Sequence, residues 1–453
     1  MSYAHRIALT AIAIVLGAVV PASAAEMITL DNALALAYQN HPRLEAERAA
    51  LRATDEDVAR ALAGWRPNAQ VSSGYGWQDN NITPRVALPI PQGNPRDVTV
   101  TVTQPLFNGR ALPDTRLAKA SVRAGRAQLT SVEQRVLYDA VTAYMDVVTD
   151  EAATDIRRQN IALLDEQRRA TEQRLMAGDL TRTDLNQVQA RLAAAKADLS
   201  LSLAKLAASR SAFLRAIGRP AEALDAAPRL PELPPSEEAA LDLARRNNPE
   251  LISAREDAEV ADASVGVADS QFLPYLALQG QYRKAQDFLS TGIQSESMSV
   301  MAQLRVPLYQ GGVEYAGVRK AQELRSRAAL LITATEREMR ETLHSSWEQM
   351  MAVRSSIALY ENQIKANEDA YRGVQEQARV GERTVIEVLN AAQELLTSRL
   401  SLAMTRRDLY LATFRLQQSV GELTASALNL PVKTYDPQQH YNDHATGWLS
   451  FGQ

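Results

Sequence analysis

The 453-residue chain contains no cysteine, which excludes disulfides, thiolate metal sites and the acylated cysteine that anchors a lipoprotein. It also lacks a charge of one sign: 49 Lys and Arg against 53 Asp and Glu leave a net charge of −4, too mild to indicate a nucleic-acid partner. Histidine is scarce. His5, His41, His344, His440 and His444 are the full set, and none stands near a nucleophile or a metal-binding cluster. His440 and His444, with Asp436 and Asp443 close by, form a metal-ligand pattern of low specificity in a tail that lacks helical periodicity. The sequence therefore implies no enzyme, no cofactor and no metal.

The first 25 residues have the form of a secretory signal. His5 and Arg6 precede an apolar run from Ile7 to Val20, and Ala22-Ser23-Ala24 fits the small-residue cleavage pattern. The run is short for a retained membrane helix and ends in a cleavable site. The chain is expected to leave the cytoplasm, and any membrane attachment must come from its fold.

A duplication organises the rest of the chain. A short helix from Leu30 to Tyr38 breaks at Asn40-His41-Pro42, and a longer one from Arg43 to Trp65 stops before Pro67. The same succession returns from Ala239 to Arg246, at Asn247-Asn248-Pro249, and from Glu250 to Leu273-Pro274. Both proline separations are 207 positions (249 − 42 and 274 − 67). The expected organisation is a first repeat over 26–220, a Pro- and Ala-rich linker over 221–238, a second repeat over 239–427 and an extended tail over 428–453.

Each repeat next carries two segments of alternating polarity, over 68–105 and 274–307. Ala69, Val71, Tyr75 and Trp77 share one parity against Gln70, Ser72, Gly74 and Gly76, and Val98, Val100 and Val102 alternate with Thr99, Thr101 and Thr103. Leu276, Leu278 and Tyr282, then Met298, Val300, Ala302, Leu304 and Val306, repeat the pattern, with Met301 breaking the polar parity. Segments of ~10 residues suit a tilted transmembrane strand. Two hairpins cannot close a barrel and lipid tolerates no open edge, so several chains must share one barrel.

From Pro113 to about Ala177, and from Val313 to about Val380, the chain reads as uninterrupted helix, ~100 Å at 1.5 Å per residue. A glycine-marked tip ends each, Gly178 before Asp184 and Gly381 before Glu387, with Thr384 and Glu387 spaced as a capping box. Shorter helices return over 183–217 and 384–420, so the coiled-coil hairpins span 113–218 and 313–421. Leu185, Val188, Leu192, Ala195, Leu199, Leu203 and Leu206 recur at coiled-coil steps. The return helix and the helix 43–65 together nearly match the long helix, which places them end to end beside it.

These elements together resemble the TolC-like outer-membrane efflux and secretion channels over essentially the whole mature chain. The resemblance implies a mainly α fold with a membrane β-barrel portion: a homotrimer whose twelve strands form a barrel in outer-membrane lipid and whose twelve helices form a periplasmic tube. It also implies a periplasmic adaptor, an inner-membrane ABC or RND transporter as partners, no nucleic acid, and a gate at the helical tips. In that family, acidic residues lie one turn apart at the second tip; here Glu387 and Asn390 take those positions as the constriction. Arg383 matches a family arginine that latches the closed state onto an aspartate at the other tip, matched by Asp184 after Thr183. Ala378 stands where a tyrosine is sometimes found. Gly178, Thr181, Gly381 and Thr384 mark the tips and adaptor docking. Three Glu387 side chains around an axis would raise one another's pKa and attract cations. The tail from Tyr435 through His440 to Trp448 resembles those of members serving one-component protein secretion as well as efflux, which slightly favours an ABC exporter. A periplasmic coiled-coil adaptor is the alternative, but it would carry one helical hairpin and no membrane-length strand pairs.

Overall fold

The computed structural model describes residues 27–79, 92–287 and 292–448; the expected signal stretch, parts of the two strand-connecting loops and the last five residues lie outside them. The first repeat runs α1 (Leu30–Asn40), α2 (Pro42–Leu62), a 3-10 turn (Ala63–Trp65), β1 (Asn68–Tyr75), the two-residue β2 (Gln78–Asp79) and β3 (Gln92–Gly93), β4 (Arg96–Asn108), α3 (Ala111–Met176) and α4 (Arg182–Ile217). The second runs α5 (Glu237–Asn247), α6 (Pro249–Asp269), a 3-10 turn (Ser270–Phe272), β5 (Tyr275–Gln286), β6 (Gln294–Arg305), α7 (Val313–Arg379) and α8 (Val385–Val420), and a short α9 (Gln439–His444) comes last.

The repeated Asn/His-Pro breaks are helix starts. The side chains of His41 and Asn248 cap α2 and α6, and Pro42 and Pro249 occupy the first turn, where no backbone donor is required. The long helices extend ~100 Å each. Along α3, Val58 of α2 packs on Ala118 and Val122, and farther on Phe213 and Leu192 of α4 lie against Tyr144 and Leu164. The two shorter helices thus succeed one another along the long one. Midway, Leu30, Leu34, Leu44, Leu137, Phe213, Ile217, Phe414 and Leu423 form the largest buried cluster.

Two segments without regular structure strap this cluster. Ile28 bridges Leu224 in parallel, and the Tyr144 hydroxyl lies 2.8 and 3.0 Å from the Ile28 and Asp225 carbonyl oxygens. The Tyr410 hydroxyl donates to the Pro228 carbonyl at 2.7 Å. The tail departs from its extended expectation: α9 docks on α2, where His440 Nδ1 lies 3.3 Å from the buried Asp55 carboxylate. Burial raises the pKa of that carboxyl. Arg66 donates to the Thr446 and Gly447 carbonyls and lies over the Trp448 ring. Six residues are too few to show a 3.6-residue period, and docking supplies the stability that length does not.

The strands form one antiparallel sheet in the order β1-β4-β5-β6, so the two hairpins are joined through β4 and β5. Its register aligns the parities seen in the sequence. Val71, Val100, Tyr282 and Met298 form one row, and Ala69, Val102, Gly280 and Val300 the next; between them lies the polar row Gln70, Thr101, Gln281 and Ser299 on the opposite face. The apolar face is open, with Val71, Tyr75, Met298 and Val300 all more than half exposed. The strands at the two ends, β1 and β6, have no second partner among the described residues. Among those residues, too, no helix is long and apolar enough to cross a membrane.

Two helix-ending glycines provide a stability test. Gly218 and Gly421 close α4 and α8 with φ of +83° and +85°. A Cβ at Gly218 meets open space, whereas at Gly421 it would lie 2.2 Å from the Asn247 carbonyl oxygen at the end of α5. Gly218→Ala should cost about 1–2 kcal/mol for the left-handed backbone alone. Gly421→Ala should cost distinctly more, because backbone must also move. Denaturant titration followed by circular dichroism separates them, and equal midpoints would contradict this ranking.

Candidate functional site

The two helical tips share one construction. At the first, Gly178 (φ +89°) closes α3, with its N–H donating to the Leu175 carbonyl and the Asp179 N–H to that of Arg174. At the second, Gly381 (φ +85°) closes α7, with Gly381 donating to Ala378 and Glu382 to Gln377. The five-residue reach-back from Asp179 and Glu382 satisfies carbonyls that the ending helix leaves open. A Cβ at either glycine would meet nothing within 4 Å, so the left-handed turn alone requires it.

A reciprocal capping box then opens each return helix. The Thr181 hydroxyl accepts the Asp184 N–H at 3.3 Å, while Asp184 Oδ2 accepts the Thr181 N–H at 2.9 Å. Thr384 and Glu387 repeat this at 3.4 and 2.8 Å. The shared spacing from glycine to acid is therefore that of a turn leading into a cap. Thr181 is the capping residue of the first tip, and Thr183 stands exposed within the first turn of α4.

The tips differ in charge. Arg383 donates to Glu387 Oε1 at 2.7 Å and to Gln377 Oε1 at 3.1 Å. Within one chain it does not pair with Asp184, whose carboxylate is engaged by its own threonine. The expected Arg383–Asp184 bond is thus absent inside the protomer, because each partner is already held by the tip that carries it. The Thr384 N–H, then Arg383, lower the pKa of Glu387 to about 2, and the Thr181 N–H lowers that of Asp184. Inside one chain this is opposite to the rise expected for Glu387: local donors surround the carboxylate, and no second carboxylate does.

A depressed carboxyl stabilises its site above the ordinary value and loses that contribution as protons reach the folded-state value. For Glu387 the loss falls between 4.5 and about 2. With local donors governing, single-channel conductance should hold constant from about pH 7 to pH 5, whereas a change within that interval would show that the three Glu387 side chains of the trimer raise one another's pKa.

Two contacts join the tips, and neither was legible in the sequence. Arg174 of α3 donates to the Ala378 carbonyl of α7 at 2.8 Å. Arg191 of α4 reaches the Asn390 side-chain oxygen at 3.5 Å. Beneath them, Leu164, Val188, Leu192, Val385 and Leu389 form a shared apolar layer across the two hairpins. A backbone acceptor has no residue signature, so the Arg174 link could not be read from residue types.

Comparison with known proteins matches the family described as outer membrane efflux protein over residues 33–219 and 240–422, one stretch for each repeat. The outer membrane efflux protein BepC of Brucella suis is 30% identical over 435 residues, covering 96% of this chain and 94% of that relative. The alkaline protease secretion protein AprF of Pseudomonas aeruginosa is 27% identical over 340 residues, covering 73% and 71%. The crystal structure of the Campylobacter jejuni CmeC outer membrane channel superposes with a TM-score of 0.77 at 15% identity, covering 92% of this chain and 89% of that one, a likeness of fold.

Proposed function

Because the chain belongs to the outer membrane efflux protein family, we propose that three copies form the exit duct of a tripartite exporter, receiving cargo from an inner-membrane transporter through a periplasmic adaptor. The protein is an outer-membrane channel with a long periplasmic extension. The observation that carries the proposal is the four-stranded sheet with one apolar face and two open edges, continuous with helices of ~100 Å. Pairing β6 of one copy with β1 of the next closes a twelve-stranded barrel and removes the edges. A periplasmic adaptor has no use for such a sheet.

At the periplasmic end the six tips of the trimer form the gate. Glu387 and Asn390 line the constriction, Arg383 reaches Asp184 of a neighbouring protomer when the gate is shut, and the turns at Gly178, Thr181, Gly381 and Thr384 meet the adaptor. The cargo in this reading is a polypeptide driven by an ABC transporter, supported by the protease secretion protein among the relatives. Drug efflux through an RND transporter is the competing use, supported by the efflux relative.

Fractionation gives the first test: heat-sensitive trimers in the outer membrane are expected, and recovery with the inner membrane would sink the duct. Cross-linking in cells and copurification give the second. Recovery of an ABC exporter is expected, whereas an RND transporter alone would replace the polypeptide with small molecules as cargo.

A further inference from the structure

We propose that Glu237, His344 and Glu348 form a binding site for a divalent transition-metal ion, clamping α5 onto α7. One ligand atom from each of the three lies within 4.8 Å of the others. His344 and Glu348 are four residues apart, so they share one face of a long helix. Glu237 is the first residue of α5, fixed by the Ser236 cap, and its Oε1 lies 2.8 Å from His344 Nδ1. The backbones on both sides are rigid, because Ala240 and Ala244 of α5 are buried against Met339 and Leu343 of α7 in one cluster. Glu348, exposed one turn along α7 from His344, already brings a carboxylate oxygen to within 4.8 Å of the other two ligand atoms. One imidazole nitrogen and two carboxylates, completed by water, are the donor set of an open zinc-type site.

The duplication supplies an internal control. The caps Thr29 and Ser236 are 207 positions apart, and α3 and α7 begin 202 apart at Ala111 and Val313, so the equivalents in the first repeat are Leu30, Thr142 and Asp146. There Leu30 is a core residue, Thr142 bonds its own helix at Tyr138, and Asp146 pairs with Arg407. The Ile28–Leu224 bridge straps that junction in addition. Among the described residues, the chain leading into α5 makes no such bridge. The scaffold thus does not demand a ligand cluster at this junction, and the second repeat has one where the first has a buried leucine and a strap.

The test uses the purified full chain, without a histidine tag, titrated calorimetrically with zinc chloride. Saturable binding of one ion per chain in the micromolar range is expected, together with a rise in the thermal midpoint that EDTA reverses. His344→Ala should abolish the binding. Glu348→Gln, which keeps the size of the side chain, should weaken it at least about tenfold. The paired substitution His440→Ala with His444→Ala should leave it intact. No saturable zinc in the wild type, or binding lost in the tail variant and retained in His344→Ala, would overturn the site.

Discussion

Trimers carrying Val300→Arg should be missing from the outer membrane, while those carrying Ser299→Arg accumulate there as the wild type does. The two residues are neighbours on β6, but the register places Val300 in the row of Ala69, Val102 and Gly280 and Ser299 in that of Gln70, Thr101 and Gln281. In the proposed barrel the apolar first row faces lipid and the polar second row the lumen. An arginine on the lipid face near the membrane midplane costs about 2–4 kcal/mol, and a trimer bears the cost three times. Roughly 6–12 kcal/mol is comparable with the net stability of a whole domain. On the lumenal side the same side chain keeps its water. Heat-sensitive trimer bands in outer-membrane fractions decide the matter, and normal bands for Val300→Arg would show that the faces have been assigned the wrong way round.

The second large effect is expected at the tips. Arg174→Ala should raise the resting single-channel conductance several-fold, and Arg383→Ala should raise it less. Arg174 ties α3 to α7 through the Ala378 carbonyl, a direct hydrogen bond between the two long helices at the tips. A bond from a charged donor is worth about 1.5–3 kcal/mol when partly buried, and three occur in a trimer. Arg383 by contrast is already held by Glu387 of its own tip, so reaching Asp184 of a neighbouring protomer exchanges one bond for another, and its loss leaves the Thr384–Glu387 box standing. Planar bilayer recordings of the reconstituted variants supply the comparison. Unchanged conductance in Arg174→Ala beside a raised value in Arg383→Ala would remove the Arg174–Ala378 bond from the gate and leave the Arg383–Asp184 contact between protomers as its latch.

Most of the helical scaffold was legible because its signals are local. Proline after Asn or His marks two helix starts, and glycine before a threonine cap marks two tips, each satisfied by backbone within a few residues. The strand parities were legible for the same reason. Period-2 alternation cannot state which strand lies beside which, so the β4–β5 pairing was not visible although both strands were. The gate divides along the same line. Thr384 and Glu387 announce their box by spacing, whereas the Arg174–Ala378 link depends on a carbonyl, and the Arg191–Asn390 contact on the approach of two hairpins far apart in sequence. The tail helix failed for a third reason: its order comes from Asp55 and Arg66 on a distant helix and turn.

The pairing of β4 with β5 also constrains how the molecule comes into being. Asn108 lies opposite Tyr275 and Arg96 opposite Gln286, so the joint between the hairpins links residues 167 to 190 positions apart (275 − 108 and 286 − 96). Contacts of such separation form slowly, because chain entropy must be lost before they contribute. When the first hairpin emerges on the far side of the inner membrane, its partner strand is still behind, and both its edges are bare. Its apolar face and open edges then invite aggregation until the second repeat arrives. The helical hairpins, whose contacts are mostly between neighbours in sequence, can form meanwhile. Biogenesis is thus expected to proceed from a helical body with unfinished strands, whose apolar face and edges stay uncovered until the second repeat completes the sheet.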